Sequence, residues 1–343
     1  MLAFIGSRTT RERNARGVGL SVYEVMDGGA WRLLQTVDLI NPSYLLVDPD
    51  RRTIYTVHGD LSDISAFSIG ADQRLTLLNQ RSTLGRNPVH LAWDEHRRHL
   101  VVANYATGSL ACLPVATDGS LGEVASTLQF TGTPGPRHHD QTGAHPHQVL
   151  RWPGTNLFVV PDKGLDRLHL VELDTQGGLR LCGDWHATPG AGCRHAVAHA
   201  SRKLLWVVNE LDSTVTTCCV DASACHIEAL DTVSLLPAAH YRNSTGAGIV
   251  RHGDMLHVSI RGLDAVVSLR IDPRTGHASP VQTTSTHGAT PRFIAMTPDE
   301  RHLLVANETS DALMRLSIRD DGLPGEPEQI VSTGSPVCVA FLS

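Results

Sequence analysis

The sequence predicts an all-β protein: a seven-bladed propeller of four-stranded blades, with one blade closed by strands from both termini. Three observations carry this. A pair of apolar strands around a short turn recurs along the chain, a third alternating strand follows each copy, and the last copy is complete only when the two ends are joined. The copies are "NPSYLLVDPDRRTIYTVHG" from 41, "NPVHLAWDEHRRHLVVANY" from 87, "HPHQVLRWPGTNLFVVPDK" from 145, "CRHAVAHASRKLLWVVNELDSTV" from 193 and "TPRFIAMTPDERHLLVANE" from 290, with a degenerate "GAGIVRHGDMLHVSIRG" at 246–262. Each opens on Pro or a small residue, turns through polar residues and ends in a polar pair.

Third strands follow as "SDISAFSI", "GSLACLPV", "DRLHLVEL", "STVTTCCV", "DAVVSLRI" and "DALMRLSI". Spacings of roughly 45 to 58 residues suit a four-stranded blade and leave no place for a crossover helix. The terminal "SPVCVAFLS" matches a first strand, "LAFIGSR" a second, and "GVGLSVYEV" and "WRLLQTVDL" a third and fourth. Joining them removes the free sheet edges of an open array. The only long excursion is "TGTPGPRHHDQTGA" at 131–144, so residues 1–343 read as one domain.

A chain of 343 residues with 41% hydrophobic and 19% charged residues reads as a soluble globular protein. Its formal charge of −6 gives no reason to expect nucleic acid or an anionic membrane as partner. The apolar start of "MLAFIGSRTTRERNARG" is too short for a signal peptide core, which predicts a cytoplasmic protein, monomer or homodimer. Seven cysteines without a CxxC pair suggest neither a disulfide framework nor a zinc site, and adjacent Cys218 and Cys219 read as packing residues on opposite strand faces.

In a propeller the starts of first strands and the loops after second strands gather at one face. Aligned there, one loop column reads Ser7, His58, Asn104, Asp162, Asn209, Ile260 and Asn307. The next reads Arg8, Gly59, Tyr105, Lys163, Glu210, Arg261 and Glu308. A strand-start column reads Ser43, Val89, His147, Arg194, a glycine in the degenerate copy, Arg292 and Val337. Asn and Asp after a strand commonly cap turns, which suits Asn104, Asp162, Asn209 and Asn307. Lone charges such as Arg8 and Lys163 read as solvated loop residues, and His145, His199 and His138-His139 have structural or solvent explanations. His147, Arg194, Glu210 and Arg261 stand apart, because three successive blades bring a base, a carboxylate and two guanidiniums together. The surplus positive charge suits a small anionic substrate.

The ordered set "NPSYL", "VANYATGSL", "HPHQV", "VPDKGLDRL", "PGAGCRHAVAH", "VVNELDSTV", "RGLDAV" and "ATPRF" resembles the lactonase family of seven-bladed propellers over essentially the whole chain. That group contains 6-phosphogluconolactonases and carboxymuconate cyclases. The resemblance implies an active site at His147, Arg194, Glu210 and Arg261. Asn104, Tyr105, His145, Asp162 and Arg292 are the accompanying candidates for substrate binding. This sequence departs from the family with Cys193 in place of Pro, Ile260 in place of Asn, and "TGAGI" where an acidic residue often precedes the strand.

For a lactone, His147 is the expected general base, with Arg194 and Arg261 on the oxyanion and the substrate's anionic group. Glu210 either orients His147 or a guanidinium, or is itself the base. No metal or cofactor is required. A cycloisomerase closing a carboxymuconate-type dicarboxylate would use the same four residues, and a non-catalytic binding scaffold is the reading from a different class.

Overall fold

The computed structural model of the protein describes residues 1–237 and 243–343. Among these residues, strands form seven antiparallel four-stranded sheets, and two single-turn 3-10 segments lie in turns within two of the blades. The first blade runs through Pro42–Asp48, Thr53–His58, Asp63–Ile69 and Leu75–Ser82, and the next five repeat this order from Pro88, Leu150, Cys193, Thr245 and Pro291. Pro336–Leu342 pairs with Leu2–Ser7 to complete the seventh blade, as the divided motif predicts.

Burial explains why the four strands of a blade differ in composition. Second strands such as Thr53–His58, His99–Asn104 and Leu204–Asn209 are buried at every residue, because both faces of the sheet are covered by neighbouring blades. Fourth strands such as Leu179–His186 alternate toward solvent. The apolar side chains fall into seven clusters, each shared by two adjacent blades. The core is therefore a ring of seven interfaces. The terminal strand serves two of them: Cys338 packs toward the first blade and Val339 toward the sixth.

One irregularity repeats at the inner strands and shapes the axis. Register slips past Ser43, Val89, Arg194, Ala247-Gly248, Arg292 and Val337, each beside the end of a second strand. In the third blade Pro146 bridges Asp162 and regular pairing resumes at Leu150, with His147 between. Such a bulge re-aims its side chain out of the alternation. Here the strand-start residues of six blades, Ser43, Val89, His147, Arg194, Arg292 and Val337, line one narrow throat on the axis. In the degenerate fifth blade this column is filled by Ala247 beside Gly248, which refines the glycine expected there.

Cys182 and Cys225 are joined by a disulfide with Cα atoms 5.9 Å apart, tying an outer strand of the third blade to a turn of the fourth. This corrects the expectation from cysteine spacing, which is blind to positions that adjacent blades bring side by side. Cys218 is buried and Cys219 partly exposed, as opposite strand faces require. No helix among the described residues is long and apolar enough to cross a membrane.

Deleting residues 335–343 removes buried Val337, Cys338, Val339 and Leu342 and reopens the ring. At about 1.5–3 kcal/mol for each large side chain, the loss rivals the whole stability of a typical domain. The truncated chain is expected to be insoluble or to lose the cooperative thermal transition of the full-length protein. Calorimetric melting at the full-length temperature would show that the ring does not depend on this strand.

Candidate active site

The loops after second strands surround a polar cavity of about 270 Å³ at one mouth of the channel. Its most buried carboxylate is Glu210, held by three cations from three successive blades. Oε2 meets Arg194 Nε at 2.8 Å, while Oε1 meets Lys163 Nζ at 2.9 Å and Arg261 Nη2 at 3.1 Å. Burial pushes this carboxyl upward, but Arg261, Lys163 and Arg194 outweigh it and hold the group well below the usual carboxylate range. Glu210 is thus a permanent anion that organises guanidiniums, and no bond joins it to His147.

Backbone contacts put Glu210 there. Its N–H donates to the Gly192 carbonyl at 2.7 Å. Gly192 has φ +70°, and a Cβ on it would meet Leu211 Cγ at 2.6 Å, so this approach requires glycine. Arg194 is sealed beneath, donating from Nη1 to the Ala247 carbonyl at 2.6 Å. Burial lowers its pKa to about 9, with Glu210 opposing and Arg261 and Arg292 adding to the shift. Arg261 stands on the cavity wall instead, its Nη2 also donating to the Gly246 carbonyl at 3.2 Å.

His147 lies between cavity and throat. Its Nδ1 is buried without a partner, Nε2 is not, and the ring lines both spaces. Burial first, then Arg194, His195, Arg292 and Lys163, pushes the imidazole well below 6.5, so it is neutral at neutral pH. Below it the axis is plugged by rings: His147 against His195 at 5.1 Å, His195 against His90 at 5.8 Å, and His90 against Tyr44 at 4.0 Å between centroids.

Of the substrate-binding candidates, Tyr105 and Arg292 line the cavity, whereas Asn104, His145 and Asp162 do not. Asp162 is consumed by the backbone N–H groups of His145, Gly164 and Leu165 at 2.8–3.0 Å and by His169. Asn104 donates to the Thr83 carbonyl at 3.3 Å. His145 engages the Tyr105 carbonyl and Thr142 through its two ring nitrogens and stacks on the Tyr105 ring at 4.4 Å. These three residues are engaged within the wall and do not line the cavity.

Lys163 and Arg8, expected as solvated loop residues, are both buried at the site. The signal for them was their column, which also holds Glu210 and Arg261. Arg13 and Asp140, outside these columns, also line the cavity. Asp140 arrives from the 131–144 excursion, 3.1 Å from Lys163 Nζ, while Gln141 anchors that excursion to the Lys163 carbonyl and Asp166. Among the described residues, Arg8, Arg13, Lys163, Arg194, Arg261 and Arg292 face Asp60, Asp140, Glu210 and Glu308, a positive excess inside a chain of net charge −6. This donor set fits a small anion. It does not fit a divalent cation, because the most buried carboxylate is already saturated by cations. A larger, more apolar groove of about 630 Å³ on the outer flank, beside Leu179, holds one cation, Arg180, with Glu172 and Asp174.

The fold and site define a seven-bladed propeller whose loop ends converge on a buried, cation-rich pocket beside His147. The family model "Lactonase, 7-bladed beta-propeller" matches residues 2–341, and the chain belongs to that family. It is similar to the 6-phosphogluconolactonase of Bacillus subtilis (strain 168), at 30% identity over 88% of this chain and 87% of the relative. The 6-phosphogluconolactonase of Formosa agariphila is 29% identical over 97% of each chain. Among solved structures, the periplasmic gluconolactonase of Pseudomonas aeruginosa superposes with a TM-score of 0.91 at 27% identity, over 100% of this chain and 99% of that one.

Glu210→Gln should cost about 3–5 kcal/mol, because buried Arg194 and Lys163 and part-buried Arg261 lose their counter-charge. Asp140→Asn, at a half-exposed carboxylate, should cost under about 1 kcal/mol. Equal shifts of the two denaturation midpoints would contradict this ordering.

Stability should also decline as pH falls below 6.5. Burial lowers the pKa of His90 to about 3, of His257 to about 4 and of His147 well below 6.5. The unfolded chain therefore binds protons first, at up to about 1.4 kcal/mol per pH unit for each imidazole. Between pH 6.5 and 4.5 chemical denaturation should show this slope, and a flat profile would mean these imidazoles protonate in the fold.

Proposed function

We propose that the protein hydrolyses a sugar lactone, with 6-phosphogluconolactone the first substrate to test. The carrying observation is the pairing of roles in one cavity: a neutral His147 lining it, beside cations fixed on Glu210. Relatives named 6-phosphogluconolactonase along most of the chain support the same reading.

In this mechanism Nε2 of His147 takes a proton from water as the water oxygen attacks the lactone carbonyl. The carbonyl π electrons move to oxygen, and the oxyanion is held by Arg261 and Lys163, which are ion-paired and need little reorganisation. Collapse of the tetrahedral intermediate breaks the ring C–O bond, and the imidazolium returns its proton to the leaving alkoxide. The products are a hydroxyl and a carboxylic acid, which releases its remaining proton to water and leaves as the carboxylate. Arg194 works through Glu210, fixing the carboxylate that aims Arg261 and Lys163.

His147→Gln should lower kcat by roughly 10²- to 10⁴-fold, the usual share of general acid–base catalysis. The wild-type pH profile should lose activity only well below pH 6.5, since the working form is the neutral imidazole, and this acidic limb should vanish in the variant. Initial rates against the spontaneous opening of the lactone would measure both. Retention of the limb in His147→Gln would assign the proton transfer to another group.

A further inference from the structure

The cavity has a second cationic end that lactone opening does not use. His147, Lys163, Arg194, Glu210 and Arg261 come from the third, fourth and fifth blades, whereas Arg8, Arg13 and Arg292 come from the seventh blade, the turn after its Leu2–Ser7 strand, and the sixth. In a seven-membered ring the seventh blade faces the third and fourth, so Arg8 and Arg13 stand across the pocket from Lys163 and Arg194, while Arg292 on the sixth blade stands between them and Arg261. The loop position that holds Lys163, Glu210 and Arg261 in their blades is Gly59 in the first blade, and a Cβ there would collide with Arg8 Nη1 and meet Ser43 Oγ at 2.9 Å. The missing side chain is what admits the Arg8 guanidinium.

Arg8 is 3% exposed, and its buried Nη1 has no hydrogen-bond partner. Asp60 lies 3.7 Å from it, already bound by Arg13 Nε at 2.9 Å and by Asn41 Nδ2 at 3.0 Å. Arg292 Nε stands 3.8 Å from Glu308, also beyond hydrogen-bond reach. Two carboxylates thus accompany three guanidiniums, and two of the guanidiniums retain free donors. Arg8 is moreover pushed down to about 9, by burial first and then by Arg292 and Arg13. An anion with several oxygens would relieve both the unmet donors and the mutual repulsion. Planar guanidinium forks match a phosphate in this way.

We propose that Arg8, Arg13 and Arg292 form a phosphate subsite that selects a lactone phosphorylated at the end remote from its carbonyl over the unphosphorylated sugar lactone. This rests on the lactonase reading for its substrate, though not for its anion. With the carbonyl at Arg261 and Lys163 and the phosphate across the pocket, the two ends of the ligand fix its direction. A carboxylate could draw on the same donors, so the test separates the two anions.

The experiment compares wild type with Arg8→Gln and Arg13→Gln. Arg13 lies at the exposed rim, its side chain 42% accessible, so its variant keeps the test open if the buried Arg8→Gln fails to fold. Two readouts are taken: kcat/KM for 6-phosphogluconolactone and gluconolactone, and calorimetric binding of inorganic phosphate and of succinate. The expected result is that the ratio of the two kcat/KM values falls at least 10-fold in a variant, mainly through KM for the phosphorylated lactone. Phosphate should bind wild type more tightly than succinate does and weaken at least 10-fold in either variant. Equal losses on both lactones, phosphate binding unaffected by either substitution, or tighter binding of succinate would each overturn the subsite. If wild type opens neither lactone, the lactonase reading fails, and the phosphate titrations still decide the subsite.

Discussion

A propeller sheet carries apolar residues on both faces, and each face is buried only if a neighbouring sheet stands against it. Second strands such as Leu204–Asn209, buried at every position, are tolerable in water only inside a closed ring. Closure falls to the pairing of Leu2–Ser7 with Pro336–Leu342, strands from opposite ends of the chain. Each of the seven apolar clusters spans two blades, so no blade owns a core of its own, and ring and core form together.

The same ring explains how a repetitive scaffold holds an asymmetric site. Inner strands slip register at equivalent places, aiming one residue per blade toward the axis. The scaffold repeats the position and leaves the residue free to vary: Ser43 and Val89 make no charge there, whereas Arg194 and Arg292 do. The loop column works likewise, with Gly59 vacating the space that Arg8 fills and Lys163 and Arg261 meeting around the Glu210 carboxylate. Chemistry is thus set by which blades carry charge.

Electrostatic cost follows from this design. Burying several cations beside one another is unfavourable, and Glu210 and Asp60 offset part of the repulsion. What remains is a positive pocket in a negative protein, suited to drawing in an anion and to holding charge that develops during reaction. Burial, and then the same field, deny His147 a proton. Stability surrendered to charge burial and the low proton affinity of His147 have one origin.

The sequence alone determined the propeller, its seven-fold repeat, the divided blade and the convergence of His147, Arg194, Glu210 and Arg261, because strand alternation and turn chemistry are local and recur in every copy. Tyr105 and Arg292 were legible from the same columns. Only the tertiary structure decided which column members face the cavity. Asp162 and Asn104 turn back to bind nearby backbone and loops, and His145 braces Tyr105. Lys163 and Arg8 are buried by partners outside their own strands, with Glu210 47 residues from Lys163. Asp140 and the Cys182–Cys225 bridge depend in the same way on what lies alongside in a neighbouring blade. A charge or a thiol acquires its role from that neighbour, and the distance along the chain carries no record of who the neighbour is.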